Sequence, residues 1–192
     1  MKEEDFKLNE AKTKIVMDGD ILLTREEVLR IPIYLLPMPV LSDNIRSFFS
    51  WGIKVHERGN YNHFMWLIRP GIVASQGLLY GAESIDTYFE KCRLKFWYHP
   101  NWTQVHRQKI MAAIQKHLDR PWYRRIYDVP AIFGQLFWHE LQTPGLDICS
   151  DSGSYLAEVD ESYDLRHPDP EQVNKWMESK PEYKVYGRYL PD

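Results

Sequence analysis

His63-Phe64-Met65-Trp66-Leu67-Ile68-Arg69-Pro70-Gly71-Ile72-Val73-Ala74-Ser75-Gln76 is the stretch on which the fold turns. Two apolar runs flank a Pro-Gly pair, the pattern of two strands joined by a tight turn. The first run is apolar from Phe64 to Ile68, so neither of its faces suits water, and a central strand covered on both sides is implied. His63 opens that strand as the one ionisable residue before Arg69. The parity of the turn decides what faces it. With an even turn, two residues at Pro70-Gly71 or four from Arg69 to Ile72, Leu67 pairs with Ala74 and Met65 with Gln76, and Gln76 shares the face of His63. An odd turn sends Gln76 to the opposite face. The even register is the expected one, because the odd one leaves His63 without an orienting group.

Outward from the hairpin, residues 1–13 are charged and aperiodic and read as a loosely held arm, with one domain over residues 14–192. Asp20-Ile21-Leu22-Leu23-Thr24 reads as a short buried strand, and Arg25 to Arg30 as a helical turn stopped by Ile31-Pro32. Ser42 suits the N-cap of a helix carrying Ile45, Phe48 and Phe49 and ending near Trp51-Gly52. Ile110, Met111, Ile114 and Leu118 fall at helical spacing within Gln104 to Leu118, and the apolar cluster from Ala131 to Trp138 predicts another helix. Pro168-Asp169-Pro170-Glu171 starts a helix over Gln172 to Ser179, and Tyr183 to Leu190 alternates as a closing strand.

Composition narrows the partners. Twenty-four Lys and Arg stand against 27 Asp and Glu, a net charge of −3, so no overall field draws the chain to nucleic acid or an anionic membrane. The N-terminal Met1-Lys2-Glu3-Glu4-Asp5-Phe6-Lys7 has no apolar core of a signal peptide, and no apolar run reaches the length of a membrane span. Cytoplasmic synthesis is the expectation, which a phage-encoded or otherwise exported enzyme also satisfies. Two cysteines, Cys92 and Cys149, read as free thiols. The aromatic content, seven Trp and twelve Tyr among them, fits a filled core with amphipathic rings at its rim.

Cys149 lies in Leu146-Asp147-Ile148-Cys149-Ser150-Asp151-Ser152-Gly153, a sequence suited to a loop-to-helix junction. The unpaired N–H groups of a first helical turn favour a thiolate and can hold a developing oxyanion. Away from such a site, a free cysteine is a small buried hydrophobe. If His63 meets Cys149, a nucleophile and a base are present. Gln76 could accept the Nδ1–H of His63 and leave Nε2 to exchange a proton with the thiol. His56, His99, His106, His117, His139 and His167 show no metal-binding spacing, and neither a metal nor another cofactor is implied.

Gly19-Asp20-Ile21-Leu22 in an early strand, Asn62-His63 opening a hairpin, Gln76 on the return strand and Cys149-Ser150 opening a late helix together resemble the circularly permuted, NlpC-type papain-like cysteine hydrolases, the YiiX-like group. The resemblance covers residues 14–160. It implies an α+β papain-like fold with a central antiparallel, barrel-like sheet and the nucleophile-bearing helix packed on it. It also implies a Cys149, His63 and Gln76 triad, with Asp20, Asn62 and Ser150 beside the site. The implied activity is that of a cysteine peptidase or amidase acting on a peptide, isopeptide or cell-wall (peptidoglycan) peptide bond through an acyl-enzyme. Members with the nearest motifs carry Glu where Gln76 stands. A lipid acyltransferase or thioesterase on the same scaffold, and a non-catalytic papain-fold interaction protein, are the rival expectations.

Overall fold

The computed structural model describes residues 21–44, 61–77, 79–126, 149–166 and 168–191, without the side chains of Asn44 and residues 149–151. The expected helices after Ser42 and over Ala131 to Trp138, the arm at residues 1–13 and Asp20 lie outside the described residues.

Six antiparallel strands form one sheet: β1 Met38–Asn44, β2 His63–Arg69, β3 Ile72–Gln76, β4 Tyr80–Ser84, β5 Cys92–Tyr98 and β6 Lys184–Tyr189. Their order is β4-β3-β2-β1-β5-β6, so the architecture is α+β with β1 and β2 at its centre. The helices α1 Arg25–Leu29 and α2 Asp86–Phe89 lie on one face. The helices α3 Gln104–Leu118 and α4 Pro170–Glu178, with the 3-10 helix Cys149–Glu158, lie on the other. Strand alternation sorts the core accordingly. Met38, Val40, Met65, Leu67 and Val73 pack under α1 and α2, while Leu41, Phe64, Trp66 and Ala74 pack under α3, α4 and the 3-10 helix. Met65, Trp66 and Leu67 are fully buried, as a doubly covered strand requires.

Ser42 is a correction. It sits within β1, opposite His63, and caps no helix. Pro37 and Pro39 disguise this strand, because proline lacks an N–H and is rare in a central strand. Met38 and Val40 nevertheless alternate with Pro39 and Leu41, and that period of two holds β1 between β2 and β5. The segment from Ile21 is another correction: Leu22 makes a single parallel bridge to Arg188, and Ile21 is 65% exposed, so no buried strand forms there. Thr24 instead caps α1 through a capping box with Glu27. Residues 104–118 are helical as the spacing predicts, and Asp169 caps α4 with Pro170 at its first turn.

Two polar anchors tie the helical layer to the sheet. Lys95, 2% exposed, reaches from β5 to Glu178 at 2.8 Å and Asn174 at 3.2 Å on α4, its ammonium 4.3 Å from the ring centre of Trp97. The Trp66 indole donates to the Ser152 carbonyl at 2.9 Å and so seats the 3-10 helix on β2.

Gly187 lets the chain before α1 lie against β6. A Cβ there would stand 2.7 Å from Leu23 Cγ and 3.0 Å from the Ile21 carbonyl oxygen. The Leu23 amide donates to the Arg188 carbonyl at 2.7 Å, and the Arg188 amide donates to the Ile21 carbonyl at 2.8 Å. Gly187→Ala is therefore expected to destabilise the fold by about 1–3 kcal/mol in urea unfolding; an unchanged midpoint would show that this contact is not made.

Candidate active site

The hairpin turn has two residues, Pro70-Gly71, with Gly71 at φ 74° and Arg69 opposite Ile72. The register then slips. Between Leu67 and Arg69 the pairing passes a bulge, beyond which Leu67 faces Val73, Trp66 faces Ala74 and Met65 faces Ser75. A two-residue turn was expected to put Gln76 beside His63; the extra residue, Ile68, undoes it. Ser75 shares the face of His63, and Gln76 points to the opposite face. The Gln76 amide donates to the Arg125 carbonyl at 2.8 Å, and its Oε1 is buried without a partner among the described residues.

What surrounds His63 is a different polar cluster. Tyr88, on α2, stands with its hydroxyl 3.5 Å from His63 Nε2, the two rings nearly parallel with centroids 6.0 Å apart. The Tyr88 hydroxyl donates to Glu83 Oε1 at 2.8 Å, and Ser75 Oγ donates to the same oxygen. Ser75 Oγ and Tyr88 Oη are 3.0 Å apart. With the tyrosine proton spent on Glu83, Tyr88 Oη accepts from the ring, so Nε2 carries the hydrogen and Nδ1 keeps the lone pair. A relay thus runs from imidazole through phenol to carboxylate.

Desolvation governs the charges here. Burial lowers the His63 pKa to about 4, with Glu83 pulling weakly the other way, so the ring is neutral near pH 7. Burial likewise raises the Tyr88 phenol far above its ordinary value. Cys92, opposite Asn44 on β1, is on the same face and 3% exposed. Burial pushes its thiol up to about 11, which makes it a poor nucleophile.

Cys149 opens the 3-10 helix Cys149–Glu158, which agrees with the expected helix start; its side chain and that of Ser150 lie outside the described residues. The body of that helix packs against Trp66, on the face opposite His63. Asn62, buried just before β2, donates its backbone N–H to the Ser42 carbonyl at 3.1 Å. Among the described residues, the histidine in contact with the Cys149 helix is His117 of α3, whose Nδ1 lies 2.5 Å from the Tyr155 hydroxyl and whose ring stacks on Tyr80 at 4.0 Å.

Sequence reading missed Tyr88, Glu83 and His117. Ser75 had a usable signal, since it is the residue that faces His63 in the odd register. Among the described residues no cluster of His, Cys, Asp and Glu could hold a metal ion, and no helix is long and apolar enough to cross a membrane. No family model and no curated protein matches the chain, so its chemistry is read from these residues.

The folded protein holds His63 neutral down to about 4, whereas an unfolded histidine takes up a proton near 6.5. Its contribution to stability is therefore complete above pH 6.5, falls as pH drops towards 4 and is level below, a loss of up to about 3 kcal/mol. His99, whose pKa burial also lowers, adds to the same window. Urea unfolding of the parent and of His63→Gln from pH 7.5 to 3.5 should show a shallower fall in the variant; identical slopes would mean that His63 is not held neutral.

Proposed function

We propose that this chain is a papain-like, cysteine-dependent amide hydrolase in which Cys149 is the nucleophile and His63 the general base. The observation that carries the reading is the seating of the helix opened by Cys149 on the strand opened by His63, through the bond from Trp66 to Ser152. His63 is the first residue of β2, at the end of the β1–β2 ladder. The reading requires the thiol to approach the ring around that end.

The relay changes the expected roles of the ring nitrogens. Nε2 is tied to Tyr88, so Nδ1 takes the thiol proton, and the Glu83 carboxylate behind Tyr88 stabilises the imidazolium that forms. That arrangement supplies a carboxylate where Gln76 does not. The thiolate then attacks the amide carbonyl, and N–H groups of the first helical turn hold the oxyanion. The imidazolium gives its proton to the leaving amine, and water cleaves the acyl-enzyme to a carboxylic acid and free thiol. Peptide, isopeptide and cell-wall peptide bonds all suit this chemistry.

Two observations favour a second reading, a papain-like protein with an inert cysteine. The sheet lies between His63 and the body of the Cys149 helix, and the Nε2 of His63 is committed to Tyr88.

Iodoacetamide alkylation from pH 5 to 9, resolved by peptide mass, separates the two. For the hydrolase, Cys149 reacts at least about tenfold faster than an ordinary thiol near pH 7, Cys92 stays silent, and His63→Ala removes the excess. An ordinary rate at Cys149, unchanged in His63→Ala, overturns the hydrolase in favour of the second reading. Loss of the excess in His117→Ala but not in His63→Ala overturns His63 as the base.

A further inference from the structure

A cavity of about 750 Å³ opens between α3 and the short 3-10 turn Ile33–Leu35. Its walls are largely apolar: Leu36 and Trp102, each 7% exposed, with Met111, Ile33 and Tyr34. Ile33 and Tyr34 are both 74% exposed. Two large apolar side chains held in water on the lip of an apolar cavity are an unfavourable arrangement that a ligand would relieve. The size lies in the range of small-molecule sites.

Arg107 gives the cavity a sign. Gln104, Arg107, Gln108 and Met111 fall at i, i+3, i+4 and i+7 of α3 and so line the cavity from one helix face. The Arg107 guanidinium lies 5.9 Å from the ring centre of Trp102, and one Nη donates to the Leu35 carbonyl. No carboxylate pairs with it among the described residues, and burial alone shifts it, downward. His99 feels the charges of Arg107 and His106 on one hand and of the Glu182 and Asp160 carboxylates on the other. Asp160 accepts from the Tyr183 hydroxyl at 3.2 Å and from the Ser162 hydroxyl at 2.6 Å. A partly desolvated guanidinium with unspent N–H donors and no counter-ion is most stabilised by an anion that forks onto it.

We propose that this cavity binds a small amphipathic anion, a carboxylate on an unbranched apolar chain, with the head group on Arg107 and the chain between Leu36, Trp102 and Met111. The site is separate from the His63 cluster. Met38, two residues after Leu36, pairs with Leu67 at one end of the β1–β2 ladder, and Ser42 pairs with His63 at the other. Four residues of strand, about 13 Å, lie between those levels.

Calorimetric titration of the full chain with decanoate tests this, with decan-1-ol as the uncharged control. One decanoate is expected to bind per chain at least about tenfold more tightly than decan-1-ol. Arg107→Gln is expected to erase that difference while leaving decan-1-ol binding intact, which shows the cavity still formed. Met111→Trp, which fills the cavity, is expected to abolish both. The proposal is overturned if decanoate does not bind, binds no better than the alcohol, or keeps its advantage in Arg107→Gln.

Discussion

The bulge at Ile68 is the constraint from which the candidate site follows. A two-residue turn fixes Arg69 opposite Ile72, and in an unbroken ladder every pair below it would keep that register. One unpaired residue in β2 shifts the return strand by one place. Side chains alternate with a period of two, so this shift exchanges the face of every residue on β3. Val73 goes to the face of Met65 and Leu67, Ala74 to that of Trp66, Ser75 to that of His63, and Gln76 away from it. Both cores then fill correctly: the small Ala74 lies beside the bulky Trp66, and Val73 completes the layer under α1 and α2.

Desolvation does the rest at His63. The ring is neutral because charging it inside this layer is costly, and neutrality fixes its hydrogen bonding: one nitrogen donates and the other accepts. Tyr88 and Glu83 settle which is which. The same burial that keeps His63 neutral keeps Cys92 protonated, so a thiol and an imidazole share one face of the sheet without forming an ion pair. On the other face the polar groups are braces. Lys95 with Glu178, and Trp66 with Ser152, hold the helical layer in place.

Much of the fold was legible because it rests on local rules. The Pro-Gly turn, the helical spacing from Ile110 to Leu118, the Asp169 cap and the alternation after Tyr183 each specify an element from neighbouring residues alone. Elements decided by tertiary pairing were not legible. β1 carries Pro39 and is preceded by Pro37, and Ser42 looked like a cap because its strand partner His63 is 21 positions away. Leu22 lacked the covering layer that a buried strand needs. At the site, His63 and a two-residue turn could be read, but a bulge leaves no composition signal in an apolar run. Tyr88 and Glu83 reach His63 only once β4 and α2 have packed beside β3, so no spacing motif announces them.

Cross-strand Hα–Hα contacts in the β2–β3 hairpin, measured by nuclear Overhauser spectroscopy, test the register directly. In antiparallel ladders the narrow pairs bring these protons close, with Cα atoms about 4.5 Å apart. The bulged register predicts strong contacts within the set Met65–Ser75, Trp66–Ala74 and Leu67–Val73. Contacts from Met65 to Gln76 or from Leu67 to Ala74 would place Gln76 beside His63 and contradict the account.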